Sequence, residues 1–137
     1  MDYKFRSNCP ISSVLDIIGD KWSLLILRDL MFAGKKTFGE FSSSTEKIAT
    51  NILTDRLQTL EQTGLITKGK LPDNKKTNIY KLTEKGIDFL PILVEVMLWS
   101  NKHLNDHVSE ENQKVAAMIQ KDKEAFIKGM RSRLASS

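Results

Sequence analysis

The sequence predicts a mainly α-helical chain carrying one small β-hairpin, an α+β fold, and three observations lead there. Apolar residues recur at helical spacing through most of the chain. That period gives way to short strand-like runs only between Leu65 and Leu82. Glycines and capping residues fall between the periodic stretches, where elements should begin and end. At 137 residues, 40% hydrophobic and 28% charged, the chain has an ordinary globular composition, which excludes a largely disordered protein.

Taken in order, Cys9-Pro10 opens a first helix, with Pro10 at the first helical position where a missing N–H costs nothing. Val14, Leu15, Ile17 and Ile18 follow, and Gly19 stops it. Asp20 is placed to cap the next helix, which is apolar nearly all round from Trp22 to Leu30 and should be central. Gly34 ends it. Thr37-Phe38-Gly39-Glu40 matches a capping box for a short helix that runs into the turn-like Ser42–Thr45.

A further helix is expected from about Ala49 to Gln62, stopped by Gly64. On a helical wheel Leu53, Leu57 and Leu60 form its apolar side. Asn51, Asp55, Gln58 and Gln62 lie opposite, flanked by Thr50 and Thr54. Leu65–Lys68 and Asn78–Leu82 read as a hairpin whose tip, Pro72–Thr77, is basic. Thr83 caps the next helix, which Pro91 should kink or restart. From Leu90 to Leu98 nearly every residue is apolar, more than one domain face can cover. Leu90, Leu93, Val94, Met97 and Leu98 are therefore expected at a subunit interface. Ser109 opens a separate amphipathic helix bearing Val115, Met118, Ile119, Phe126, Ile127 and Met130. The expected organisation is a unit over 1–107 with a helical extension over 108–137.

This order, a helix–turn–helix followed by a hairpin, is that of a winged helix-turn-helix. Its second helix must offer compact side chains to base edges in a major groove, and Thr50, Asn51, Thr54 and Asp55 are the candidates. Asn pairs bidentately with adenine and a threonine methyl contacts thymine. Asp55 tolerates the groove only if it accepts from a cytosine amine or pairs with a lysine. Lys75 and Lys76 at the tip, with Lys68 and Lys70 beside them, suit phosphates, and Lys35 and Lys36 suit the backbone on the other flank. The excess of 21 Lys and Arg over 17 Asp and Glu leans the same way without deciding it. A winged protein-interaction module without specific DNA binding is the competing class.

The residues also resemble the HxlR-type family of bacterial winged helix-turn-helix regulators. The resemblance is carried by Cys9-Pro10, Gly19-Asp20-Lys21-Trp22, Leu25–Leu30, Phe38–Phe41, Ile52-Leu53-Thr54, Arg56-Leu57, Leu60-Glu61, Gly64-Leu65-Ile66, Tyr80–Gly86, Leu90-Pro91 and Trp99. It implies a MarR-like fold and a homodimer joined through its terminal helices. It further implies binding to a two-fold related operator, as a repressor more often than an activator. The wing departs from the family's frequent prolines and arginine, since it reads Asn74-Lys75-Lys76-Thr77-Asn78.

Cys9 is the only cysteine, which excludes an internal disulfide framework and a cysteine-based zinc finger. At a helix start, with Lys4 and Arg6 near in sequence, its thiolate is favoured, and the family resemblance implies sensing of thiol-reactive compounds there. Burial in an interface is the alternative. Trp22 and Trp99 read as core or dimer packing, with a crevice between them that admits a small apolar effector as the alternative. His103 and His107, one helical turn apart, lack a third metal ligand. No cofactor and no metal are expected. No phosphate-cradling glycine loop or acid–base set points to an enzyme. Arg28, Asp29 and Arg56 read as members of structural ion pairs, with a phosphate contact the alternative for Arg56. Met1–Arg6 has no apolar signal-peptide core, and Pro91 and Glu95 interrupt the longest apolar stretch, so the expectation is cytoplasmic, without a membrane partner.

Overall fold

The computed structural model describes residues 3–137, which divide between Gly86 and Ile87 into two compact units. In the first, helix α1 (Pro10–Ile18) begins at Cys9 with Pro10 in its first turn. Helix α2 spans Ser23–Phe32. Its start lies two residues later than Asp20 predicts. Asp20 instead closes the preceding turn: its carboxylate accepts from Trp22 N (2.8 Å), Ser23 N (2.9 Å) and Ser23 Oγ (2.6 Å). The two N–H groups are orphan donors of the helix start, so the capping function survives the shift. Ile26, Leu27, Leu30 and Met31 bury the core side of α2.

Helix α3 (Phe38–Ser42) carries the complete capping box, with Thr37 Oγ1 accepting from Glu40 N and the Glu40 carboxylate from Thr37 N. The same carboxylate also accepts from Lys36 N, which holds the Glu40 carboxyl below its ordinary range. Helix α4 (Thr50–Gln62) packs on α2, on α3 and on strand β1 (Ile66–Leu71) through Leu53, Leu57 and Leu60, all essentially buried. It ends in a Schellman-type turn, with Gly64 at φ +82° and Leu65 N–H donating to Leu60 O at 2.9 Å.

Strand β1 pairs antiparallel with β2 (Asn74–Leu82), from Ile66↔Leu82 to Lys70↔Asn78. The hairpin is as expected, but its tip is tighter. The turn is Pro72-Asp73, and Leu71 pairs with Asn74, so Lys75, Lys76 and Thr77 bulge out of β2. Asn74 organises the bulge: its Oδ1 accepts from Lys76 N (3.1 Å), while its Nδ2 donates to Thr77 Oγ1 (3.0 Å). At the base, Tyr80 N donates to Lys36 O (2.8 Å) and the Tyr80 ring meets Phe41 edge-on. Thr83 Oγ1 accepts from Gly86 N at the start of the short helix α5 (Glu84–Ile87). Gly86 must be a glycine because a Cβ there would lie 2.1 Å from Leu65 O.

In the second unit Pro91 restarts the chain as helix α6 (Leu90–His103). The expected single helix after Ser109 is two, α7 (Glu110–Lys121) and α8 (Lys123–Ala135), each packed on α6. The break is at Asp122, whose backbone leaves helical space and whose carboxylate caps α8 by accepting from Ala125 N (3.1 Å). Ala116, Ile119 and Met130 are the buried residues of α7 and α8, and Met118 is exposed. Lys123–Glu95 and Arg131–Asp88 ion pairs, both 2.6 Å, tie α8 to the rest of the unit.

The interface expectation for α6 needs correction. Leu90, Leu93 and Val94 are buried, and Met97 and Leu98 are half-buried. The apolar side chains left open are Ile92, Val96 and Trp99, at 44%, 46% and 59% exposure. His103 ends α6 and His107 lies in the turn beyond it, so the two do not share a helix face. The His103 ring lies against Trp99 instead, tilted by 44° with ring centroids 4.9 Å apart. No helix among the described residues is long and apolar enough to cross a membrane.

Candidate nucleic-acid interface

The fixed part of this surface is α2, and a polar network fastens the turn before α4 to it. Asp29 is 4% exposed, yet its carboxylate is well partnered. Arg28 donates to Oδ1 through Nε (3.0 Å) and Nη2 (2.8 Å), and Ser44 Oγ donates to Oδ2 (2.5 Å). Arg28 also grips Glu46 with two bonds, Nη1 to Oε2 (2.7 Å) and Nη2 to Oε1 (2.9 Å). These bonds hold the Glu46 carboxyl down at about 2 and push the Arg28 guanidinium further up. Arg28 and Ser44 thus fill the lone pairs of the buried Asp29 carboxylate. The chain then turns through Lys47, at φ +55°, into α4.

Lys35 belongs to this network, which corrects its expected role. Its Nζ donates to Ser44 Oγ (2.7 Å) and lies 3.9 Å from Asp29 Oδ2, so its charge is engaged internally rather than offered to a phosphate. Lys36 keeps an exposed side chain, with its backbone fixed by Glu40 and Tyr80.

Helix α4 presents Thr50, Asn51, Thr54, Asp55 and Gln58 on its exposed side. Thr54 Oγ1 donates to Thr50 O at 2.9 Å, which leaves the Thr54 methyl and a hydroxyl acceptor to face outward. The helix start differs from that of α3. Ala49 is the N-cap and makes no side-chain bond, and no acid sits in the first turn. Its first N–H groups therefore have no side-chain acceptor, and with the helix dipole they suit an anionic partner. The other end is closed by Lys85, whose Nζ donates to Thr63 O (2.6 Å).

Asp55 has the cationic partner its position calls for, though a neighbour in sequence rather than a lysine. Arg56 Nη1 donates to Asp55 Oδ2 at 2.5 Å, and Arg56 Nε lies 3.1 Å from Asp20 Oδ1 without the alignment of a hydrogen bond. The structure thus brings Thr50, Asn51, Thr54 and Asp55 together on one helix face and places Lys75 and Lys76 on an exposed bulge of the hairpin. Lys68 and Lys70 are exposed on β1. Lys47 escapes sequence reading because a left-handed lysine carries no local signature. Glu46 escapes it because its partner is 18 residues away.

Cys9 is exposed, and its N–H donates to Ser7 Oγ at 3.2 Å. Arg6 is paired with Asp16 and is not directed at the thiol. Trp22 is half-buried in the first unit with Lys21 Nζ 5.0 Å from its ring centre, and Trp99 belongs to the second unit. Among the described residues no group of acidic, histidine or cysteine side chains is placed to hold a metal ion.

A short helix, a fixed turn, a polar-faced helix and a basic two-stranded wing define a winged helix-turn-helix protein. A model of the HxlR-like helix-turn-helix family matches residues 17–108. The chain belongs to that family. It is 36% identical over 86 residues to the HTH-type transcriptional regulator sll1512 of Synechocystis sp., an aligned region of 63% of each chain. It is 32% identical over 108 residues to the HTH-type transcriptional regulator YodB of Bacillus subtilis, covering 77% of this chain and 96% of YodB. The reduced form of YodB superposes with a TM-score of 0.59 at 30% identity, over 71% of this chain and 95% of that one. The redox regulator HypR in its reduced form gives 0.61 at 29% identity, over 73% and 100%.

Proposed function

We propose that this chain is a DNA-binding transcription regulator that acts as a homodimer on an inverted-repeat operator and represses from it. The observation that carries the reading is α4. One side, Leu53, Leu57 and Leu60, is locked into the core, while the other carries compact polar groups beside an uncapped helix start. Asn51 and the Thr54 methyl suit adenine and thymine, the first turn of α4 suits a phosphate, and Lys36, Lys75 and Lys76 suit the flanking backbone. Residues 1–107 form the operator-binding part in this reading and 108–137 an extension that braces α6. The partner subunit seats on the side of α6 where Ile92, Val96 and Trp99 are open.

The test is a binding titration of the full chain on the duplex upstream of its own gene, against a scrambled duplex at several salt concentrations. Tight binding that weakens steeply with salt and prefers the natural duplex is expected. Equal, weak affinity for both would instead fit a protein-interaction module. Asn51→Ala should relax base preference.

An exposed Cys9 at the start of α1 supports a thiol-reactive effector, as does the existence of YodB in reduced and diamide-treated forms. With one cysteine per chain, oxidation would join two subunits or add a small thiol. Cys9→Ser should keep DNA affinity and lose any response to diamide. A response equal to that of the natural chain would remove Cys9 from the mechanism.

A further inference from the structure

We infer that Arg56 is a positioning residue for base recognition: anchored on Asp20, it holds Asp55 so that the second carboxylate oxygen accepts from a cytosine amine. The inference rests on α4 as the reading helix. Asp55 lies one turn beyond Asn51 on the exposed face, with 60% of its side chain open. An unpaired carboxylate there would be repelled by every phosphate along the groove. Neighbours in a helix point about 100° apart and do not normally meet. The Arg56–Asp55 bond therefore draws the carboxylate to one side and fixes which oxygen is used.

The anchor is rigid. Asp20 is held by three hydrogen bonds from the start of α2. Burial works against its charge, but the bonds from Ser23 and Trp22 and the Arg56 charge hold its carboxyl below the ordinary range. Arg56 Nε faces that carboxylate, shielded from solvent and without an aligned hydrogen bond. The guanidinium is thus set between two acids and neutralises the one that faces DNA. Asp55 Oδ1 carries no hydrogen bond among the described residues, while Oδ2 is spent on Arg56. An acceptor-only group in the major groove fits the N4 amine of cytosine. Guanine and thymine offer acceptors at their edges, and adenine sets N7 beside its amine, so all three are disfavoured.

The experiment measures affinities of the full chain for the upstream duplex and for every single-base change in one half-site. The proteins are the natural chain, D55N, R56Q, the double variant R56Q/D55N, D20N and N51A, each checked by thermal melting. Cytosine should be preferred at one position by roughly tenfold, and D55N should lose that preference alone. R56Q should weaken binding to all sequences and blunt the cytosine preference, because the acid is then unpaired. Adding D55N to R56Q should restore much of the lost affinity, a rescue that a purely structural arginine would not show. D20N should blunt the preference less than R56Q. If R56Q does not fold, R56K takes its place, since a point charge cannot engage both acids as the planar fork does. Cytosine preference intact in D55N while N51A relaxes another position would overturn the inference and leave α4 as the reading helix. The same holds if the double variant binds no tighter than R56Q. Preferences unchanged in both D55N and N51A would overturn the reading helix and this inference together.

Discussion

Asp29 shows at the scale of one residue how charge is used to fix the turn before α4. A buried carboxylate is unfavourable unless its lone pairs are filled, and here Arg28 and Ser44 fill them. Asp29→Ala would strip the acceptor from Ser44 and leave Arg28 to Glu46 alone. We expect a loss of about 3 kcal/mol in chemical denaturation, the size seen when one member of a buried pair is removed. Glu46 adds a pH dependence of known sign. Its carboxyl is held at about 2, below the ordinary 4.5, so its bond to Arg28 contributes in full above pH 4.5 and is lost as pH falls toward 2. The side chain is 40% exposed, so the contribution is of order 0.5 kcal/mol. Glu46→Gln should be less stable than the natural chain near neutrality, and the gap should close between pH 4.5 and 2. A gap that stays constant on acid titration would detach the effect from Glu46 ionisation. Gly86 is constrained by space: Gly86→Ala would drive a methyl into Leu65 O and should cost about 2 kcal/mol.

Among the elements, the contrast between the two helices of the motif carries a prediction. Helix α3 begins with every available cap, whereas α4 begins at Ala49 with none. Natural chains leave such stability unclaimed where function needs the groups free. Ala49→Asp should stabilise the protein by about 1 kcal/mol, because its carboxylate would take the orphan N–H groups. The same change should weaken operator binding by roughly tenfold or more, since those donors and their positive field are then spent. A stabilised protein with unchanged affinity would show that the helix start meets no phosphate. Local chemistry made the α3 cap and the two-sided character of α4 legible in sequence, since Thr37–Glu40 and Leu53–Leu57–Leu60 carry their reasons within a few residues. The partners of long-range pairs are not legible: nothing near Lys35 announces Ser44, and nothing near Arg56 announces Asp20. The hairpin is legible but its tip is not, because Asn74 stabilises a bulge where composition alone indicates a loop. The break at Asp122 was hidden by apolar spacing that continues across it from Ile119 to Phe126 and Ile127. For α6, spacing marked Leu90, Leu93 and Val94 as apolar but could not tell a protomer core from a subunit seam.

At the level of the whole molecule, the proposed dimer gives the open side of α6 its purpose. Ile92, Val96 and Trp99 stand at helical spacing, and together with Pro91 and Glu95 they line a shallow, almost wholly apolar surface. A two-fold interface is self-complementary, so a change on this stripe is felt twice across the axis. Val96→Glu would place two new carboxylates near the seam, beside Glu95, whose charge is already committed to Lys123. Val96 is 46% exposed, so the substitution should hardly disturb the protomer's own packing. Light scattering should then give the mass of one chain at micromolar concentration, with helical content unchanged. Operator affinity should fall much further than that of Lys75→Ala. The wing substitution removes about one phosphate contact and lowers the salt slope by about 1, whereas a monomer forfeits the effective concentration that joins two half-sites. A Val96→Glu protein that still scatters as a dimer and binds the full operator normally would place the subunit seam on another face.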